Sequence, residues 1–153
     1  MRSISEEKMM FDLDYDFLSN FYPSTIKLEG LTYPTVEHAF QAYKCKDPKD
    51  RIVFTENISP GTAKRMGRKV FLRKDWEEVK DDIMFSCLLI KFKDERLKQM
   101  LLETGDIFLV EGTLWHDNYW GDCYCENCTN IKGQNKLGYM LMEIRDKLIK
   151  EIK

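Results

Sequence analysis

Apolar and polar positions along this chain alternate with two different periods. In "TIKLEGLTYPT", Ile26 and Leu28 sit between polar residues and Gly30 falls where a tight turn belongs, which predicts a β-hairpin. The period then lengthens. "TVEHAFQAYK" predicts a short helix, with Thr35 as its cap and Pro34 separating it from the strand. "SPGTAKRMGRKV" predicts another, with Ser59 as N-cap and Pro60 in the first helical position. Trp76, Val79, Ile83, Cys87 and Ile90 recur at helical spacing behind Asp75, and Glu78 makes a variant capping box with that aspartate. "DERLKQMLLETG" predicts a helix capped by Asp94 and stopped near Gly105. "IFLVEG" predicts a short buried strand. Leu137, Leu141, Ile144, Leu148 and Ile152 line one face of a C-terminal helix. The sum is α+β: mostly helix, with a few short strands.

Composition adds limits. A chain of 153 residues is expected to be one domain, residues 1–153, and 43% apolar residues with 12% aromatic can bury a sizeable core. Charged residues make up 33%, yet the net charge is only −2, which argues against a general nucleic-acid coat. One small basic pocket for a phosphate is still allowed. No apolar run reaches the roughly 18 residues a membrane span needs. The N-terminal "MRSISEEKMMFDLDYDF" is acidic and lacks an apolar h-region, so no signal peptide is expected. The expected compartment is the cytoplasm, with the five cysteines reduced; their odd number also speaks against a full disulfide framework.

Three stretches carry candidate chemistry. On a helical wheel of "VEHAFQAYK", Val36, Ala39, Phe40 and Tyr43 share one side, and Glu37, Gln41 and Lys44 form a narrow polar stripe beside them. Glu37 and Lys44 lie about two turns apart, roughly 10 Å along the axis, so a group could sit between or beside them. A solvated stripe is the plainer reading. The preceding "FLSNFYP", however, is aromatic and Asn-containing, unlike an ordinary surface segment. Arg68, with Lys64, Arg65, Lys69, Arg73 and Lys74, makes the most basic stretch: either a phosphate site or an exposed basic face. Cys123, Cys125 and Cys128 read C-x-C-x2-C, three thiolates for a zinc that wants four ligands in a structural site. His116, Cys45 or Cys87 is open as the fourth, although Cys87 also fits the apolar face of its helix. The alternative is a reduced, partly buried loop.

Four segments taken together resemble the NADAR family, also called YbiA-like N-glycosidases. They are "FLSNFYPSTIKLEGLTYPTVEHAFQAYK", "AKRMGRKVFLRKDWEEVKDDIM", "LVEGTLWHDNYWG" and "GQNKLGYMLMEIRDKL". They stand in the family's order and span Phe17 to Leu148. The resemblance implies a largely helical α+β domain that hydrolyses the N-glycosidic bond between ribose C1′ and a base-like nitrogen. Two substrate types are implied: phosphorylated ribosylamino-pyrimidine intermediates of riboflavin synthesis, and ADP-ribose attached to guanine in nucleic acid. The matching positions are Asn20, Phe21, Glu37, Lys44, Arg68, Trp76, Asp117, Trp120, Gly121, Asn135 and Gly138.

Those residue types suit the reaction. Positive charge develops on the sugar as the C1′–N bond breaks, and a carboxylate, Glu37 or Asp117, can stabilise it or activate water. Alternatively a lysine amine, Lys44, attacks C1′ and forms a Schiff base with the opened ribose; for this its pKa must be lowered by burial or by another cation. Glu37 is then the proton-transfer group, and Lys44 the nucleophile or a phosphate-orienting cation. Trp76 and Trp120 could stack on a flat base, though Trp76 also belongs to the apolar face of its helix. Asn20 either bonds the substrate or forms a turn. Asn135 and Gly138 flank the start of the last helix, whose N-terminus could hold a phosphate unless Asn135 merely caps it. The implied chemistry needs no metal, so a zinc would be structural, and the Cys-rich insert departs from the glycine-rich link of many members. Two other functions remain open: a non-catalytic module binding ADP-ribose or a related nucleotide, and a zinc-stabilised interaction domain.

Overall fold

The computed structural model describes residues 2–4 and 13–152; most of the acidic N-terminal stretch, on which the expectation about a signal peptide rests, lies outside the described residues. In chain order the first elements are β1 (Arg2–Ile4), β2 (Ile26–Leu28), β3 (Leu31–Tyr33), α1 (Val36–Ala42), α2 (Pro48–Arg51) and α3 (Pro60–Gly67). There follow α4 (Trp76–Lys91), α5 (Glu95–Glu103), β4 (Phe108–Val110), β5 (Gly112–Thr113), β6 (Asp122–Cys123) and α6 (Lys136–Glu151). The fold is α+β, mostly helical with a few short strands, as the sequence predicts. The chain forms two compact units, Asn20–Asp94 and Met1–Ser19 with Glu95–Lys153.

In the central unit the hairpin pairs Ile26 with Tyr33 and Leu28 with Leu31. Its two-residue turn takes positive φ at Glu29 (50°) and Gly30 (86°), the twist that suits a tight hairpin. Ile26 and Tyr33 are fully buried. Thr35 caps α1: its Oγ1 accepts the His38 amide at 3.2 Å and contacts His38 Nδ1 at 2.8 Å. His38 Nε2 lies 2.7 Å from the Ile58 carbonyl, so this nitrogen carries the proton and Nδ1 accepts from the threonine hydroxyl. Burial lowers the His38 pKa, partly offset by that carbonyl, and the imidazole is a neutral tie between two segments.

The helix α1 packs against α3, α4 and the hairpin, and every one of its residues is buried. The polar stripe is therefore not solvated. It is also shorter than the wheel implies. The helix ends at Ala42, and Lys44 lies in the turn beyond, its amide donating to the Gln41 carbonyl at 3.2 Å.

Ser59 and Pro60 start α3 as expected, the serine accepting from Thr62 N at 3.0 Å. Asp47 and Pro48 start α2 in the same way, an element that "KDPKD" could have disclosed. The capping box at α4 does not form. Asp75 has no capping bond, because its carboxylate takes Arg73 Nε at 2.7 Å and Nη2 at 3.1 Å. A charge-assisted pair of bonds to a guanidinium outcompetes a neutral amide. The buried face of α4 is Trp76, Met84, Cys87, Leu88 and Lys91; Val79, Ile83 and Ile90 sit at its half-buried edge.

In the other unit β1 and β4 pair antiparallel, Ser3 opposite Leu109, and β5 and β6 pair parallel. Leu109 and Val110 are buried, as expected of this strand, while Phe108 is 38% exposed against the edge of Tyr139. α5 is followed by Gly105 at φ 65°. On α6, Leu137, Leu141 and Ile144 are buried and Leu148 is half-buried. Ile152 is 71% exposed beyond the helix end, so the apolar face stops one turn early. No helix among the described residues is long and apolar enough to cross a membrane.

Candidate active site

The central unit gathers a polar cluster in an apolar surround. Glu37 is 7% exposed and Gln41 4%, and Gln41 Nε2 donates to Glu37 Oε2 at 2.6 Å. The Glu37 amide donates to the Asn20 carbonyl at 3.1 Å, which fixes the "LSNF" turn to the start of α1. Asn20 is itself buried and donates weakly to Met84 Sδ at 3.5 Å. The side-chain oxygens Asn20 Oδ1 and Gln41 Oε1 are buried with no hydrogen-bond partner among the described residues. Buried amide oxygens left this way are costly, and they are a common mark of a ligand or water position. Phe21, next in the chain, is 42% exposed.

Lys44 stands at the edge of this cluster, half-buried, with Nζ 5.9 Å from the centroid of the Trp76 ring. Burial lowers its pKa; the Glu37 carboxylate opposes that shift, and the nearby Arg68 and Lys64 reinforce it. Burial and neighbouring cations, either of which can lower a lysine's pKa, both act on Lys44. Trp76 is 7% exposed and packs on Phe40 with ring centroids 5.0 Å apart, so it is a core residue whose ring also borders Lys44. Arg68 is exposed at the end of α3. Arg73 belongs to the scaffold, tied to Asp75 and, through its amide, to the Lys44 carbonyl at 2.9 Å.

One contributor was not foreseen. A Cβ on Gly67 would lie 1.8 Å from Gln41 Oε1, so only glycine lets α3 approach the Gln41 side chain. The available signal was a glycine inside the otherwise basic "AKRMGRKV".

The second unit holds the loop between β5 and α6. Asp117 Oδ1 accepts the amides of Tyr119 at 3.1 Å and Trp120 at 2.9 Å, so this carboxylate shapes its own turn. Trp120 is half-buried, edge-on to Tyr119. Gly121 is buried against β5, where a Cβ would fall 2.3 Å from the Glu111 carbonyl oxygen. Asn135 sits at φ 50° and makes no side-chain cap. Its Oδ1 instead accepts from Glu111 N and its Nδ2 donates to the Leu109 carbonyl, both at 2.9 Å. The amides of Lys136 and Leu137 at the start of α6 donate to the carbonyls of Tyr119 and Trp120. The first turn of α6 thus spends these amides on the loop, which leaves little of the N-terminus expected to greet a phosphate.

The same loop brings four metal-type ligands together: one ring nitrogen of His116 and the sulfurs of Cys123, Cys125 and Cys128 all lie within 4.8 Å of one another. This cluster could hold a metal. His116 is the fourth member, and not Cys45 or Cys87, which are buried in the central unit.

The family model of the NADAR domain matches residues 8–149. The chain belongs to the NADAR family. Within it, N-glycosidase YbiA of Shigella flexneri serotype 5b (strain 8401) is 46% identical over 138 residues, covering 88% of this chain and 82% of that protein. The NMR structure of the E. coli protein YbiA superposes with a TM-score of 0.76 at 45% identity, over 90% of this chain and 80% of that one. Riboflavin biosynthesis protein VVA0006 of Vibrio vulnificus is 30% identical over 152 residues, which span 95% of this chain and 40% of that longer protein. At this identity and coverage the NADAR chain shares the reaction class of its relatives, hydrolysis of an N-glycosyl bond.

Proposed function

We propose that this NADAR protein, read as one catalytic domain over residues 1–153, cleaves the C1′–N bond of a free, phosphorylated ribosylamino-pyrimidine of the kind met in riboflavin synthesis. The observation that carries the reading is the pairing of a buried carboxylate, Glu37, with a half-buried lysine whose pKa is depressed, Lys44, one on α1 and one in the turn that follows it. A module that only binds a nucleotide has no use for a lysine held toward its neutral form. The riboflavin name of one relative and the net charge of −2 favour a free nucleotide over ADP-ribosylated guanine in DNA.

In the proposed reaction the neutral Lys44 amine attacks C1′. The C1′–N bond breaks and its electron pair stays on the departing nitrogen; the Glu37 carboxylate takes the proton that the attacking amine sheds and passes it to that nitrogen. The ribose ring opens to a Schiff base on Lys44. Water, deprotonated by Glu37, then adds to the imine carbon, releasing the ribose phosphate and the free lysine. Gln41, donating to Glu37 Oε2, orients the carboxylate, and Arg68 with Lys64 receives the substrate phosphate. Asn20 Oδ1 accepts from a ribose hydroxyl, and Phe21 borders the base. Asp117 is assigned to its own loop, where it positions Trp120. The ion suited to the His/Cys cluster is zinc, in a structural role and with no part in bond cleavage. The cytoplasm is the proposed compartment, where five free cysteines stay reduced.

The test is an assay panel of ribosylamino-pyrimidine phosphates beside ADP-ribosylated guanine DNA. Glu37→Gln and Lys44→Ala should each lower kcat by at least about a hundredfold, the range for loss of a general acid–base or nucleophile. Borohydride added during turnover should fix a ribose phosphate adduct on Lys44. Wild-type rates in either folded variant would sink the assignment. Turnover without a trapped adduct would move the attack from Lys44 to water activated by Glu37. Cleavage of the DNA substrate alone would overturn the proposed substrate.

A further inference from the structure

The four ligands of the His/Cys cluster are not spread evenly through the chain. His116 comes directly before Asp117, and Cys123 comes two residues after Gly121, so two of the ligands bracket the segment "DNYWG". Cys123 is the last residue of β6, and Cys125 and Cys128 lie at and in the 3-10 turn that follows.

The geometry suits a tetrahedral ion. With Zn–S near 2.3 Å and Zn–N near 2.0 Å, the edges of the tetrahedron come to about 3.5–3.8 Å. His116 Nδ1 stands 3.4 Å from Cys128 Sγ and 3.3 Å from Cys125 Sγ, already close to such edges. Three sulfurs and one imidazole form a soft donor set that favours zinc over magnesium or calcium.

The surroundings are also those of a built site. The His116 amide donates to Cys123 Sγ at 3.3 Å, and Asn118 Nδ2 donates to Cys128 Sγ at 3.4 Å. Asn118 Oδ1 accepts the Cys123 amide at 2.8 Å, so one side chain ties the backbone of one ligand to the sulfur of another. Donors of this kind, just outside the coordinating atoms, orient ligands and balance thiolate charge. His116 holds φ at 67°, a left-handed conformation that an ordinary side chain adopts at a cost, and ligation would offset that cost.

We infer that His116, Cys123, Cys125 and Cys128 form a closed Cys3His zinc centre whose work is to hold the Asp117–Gly121 loop in place. The inference rests on the zinc reading above and extends it to a mechanical role. Apart from the ion, the 20-residue stretch from Leu114 to Gly133 is held by the β5–β6 pairing, by Thr113 Oγ1 on the Asp117 carbonyl, by the Gly133 amide on Asp122 Oδ1 and by the amides of residues 134–137 on the carbonyls of Asn118–Gly121. With the ion, both ends of "DNYWG" are tied to one point, and the turn built on Asp117 keeps Trp120 in a single setting.

The experiment uses the purified 153-residue chain. Metal analysis should find about one zinc per chain, and cobalt exchanged for zinc should show the visible and sulfur-to-metal bands of a tetrahedral thiolate site. Amide hydrogen exchange, with and without a strong chelator, then reads the loop. Removing the ion should speed exchange at residues 118–123 and 134–137 by at least about tenfold, with the α1 amides unchanged. Cys125→Ser, the more accessible of the thiol ligands, should reproduce the effect if Cys123→Ser or Cys128→Ser fails to fold. Absence of a bound metal, or cobalt spectra without thiolate bands, would overturn the site. A bound zinc whose removal leaves loop exchange unchanged would overturn the clamp and leave the site standing. Glu37→Gln, with its zinc retained, checks the catalytic reading separately, so failure of one does not imitate failure of the other.

Discussion

Lys44 holds two demands in tension. A nucleophilic amine must be neutral part of the time, so the fold lowers its pKa by burial and by the company of Arg68 and Lys64, while Glu37 pulls the other way. A lysine whose folded pKa lies below its unfolded value costs stability wherever it is charged. The stability it withholds is present above the unfolded pKa, near 10.4, and is lost as pH falls through the lowered folded pKa. At neutral pH the charged form therefore weighs against folding. Lys44→Met should raise the melting temperature by about 2–4 °C, the shift that about 1 kcal/mol gives in a chain of this size, while abolishing turnover. A calorimetric scan of both proteins at pH 7 and pH 10 checks the sign: the gain should shrink at the higher pH. A melting temperature that drops at pH 7 would mean that Lys44 contributes through contacts and not as a strained charge. For the wild type, kcat/KM should rise with pH as the amine loses its proton, in the window set by that lowered pKa.

At the scale of elements, the seam between α1 and α3 decides whether Glu37 is aimed. Gly67 lies against Gln41, and a Cβ there would stand 1.8 Å from Gln41 Oε1 and 3.2 Å from Gln41 Cβ. Alanine in a helix gains up to about 1 kcal/mol over glycine, but overpacking a buried seam costs about 1–3 kcal/mol, so the clash should win. Gly67→Ala should therefore lose about 1–2 kcal/mol in urea denaturation and much of its activity, because Gln41 must leave Glu37 to make room. Adding Gln41→Ala should restore stability but not rate. Independent, additive losses in the double variant would show that the two residues do not share the seam. Much at this scale was legible. Gly30, Thr35, Ser59 with Pro60, and Gly105 act through local backbone chemistry, and each marks its element where expected. The misses share a cause. By local spacing Asp75 caps α4, but it binds Arg73; Asn135, by spacing either a cap or part of a phosphate site, bonds β4 and the residue beyond it; and the stripe of Glu37 and Gln41, whose plainer reading is a solvated face, lies under α3 and α4. In each case the deciding partner comes from the tertiary fold, which local spacing does not reveal. The order of ligands in the Cys-rich loop was half legible for the same reason: three sulfurs are close in sequence, but the choice of His116 over Cys45 and Cys87 needed the fold.

At the scale of the whole molecule, charge separates a free nucleotide from a nucleic acid. The chain carries 24 basic and 26 acidic residues, and its most basic stretch, Lys64 to Lys74, has already committed Arg73 to Asp75 and Arg65 to Thr62. Arg68, Lys69 and Lys74 are its other exposed cations, enough for one or two phosphate groups but not for a duplex track. Each phosphate neutralised on a nucleic acid adds close to one unit to the slope of log affinity against log salt, so a protein making 6–10 such contacts loses about 10³–10⁵ in affinity between 50 and 200 mM salt. One or two contacts predict a loss below about fifteenfold over the same range. KM for the ribosylamino-pyrimidine phosphate should follow that shallow line, with kcat unchanged because the ions compete for binding and not for the bond being broken. Arg68→Gln, which removes a cation whose charge acts on Lys44, should flatten the line further and raise KM, whereas Lys27→Gln, an exposed cation of the hairpin outside this basic stretch, should change little. A steep dependence, surviving in Arg68→Gln, would require an extended basic surface and would favour the DNA-linked substrate over the free one.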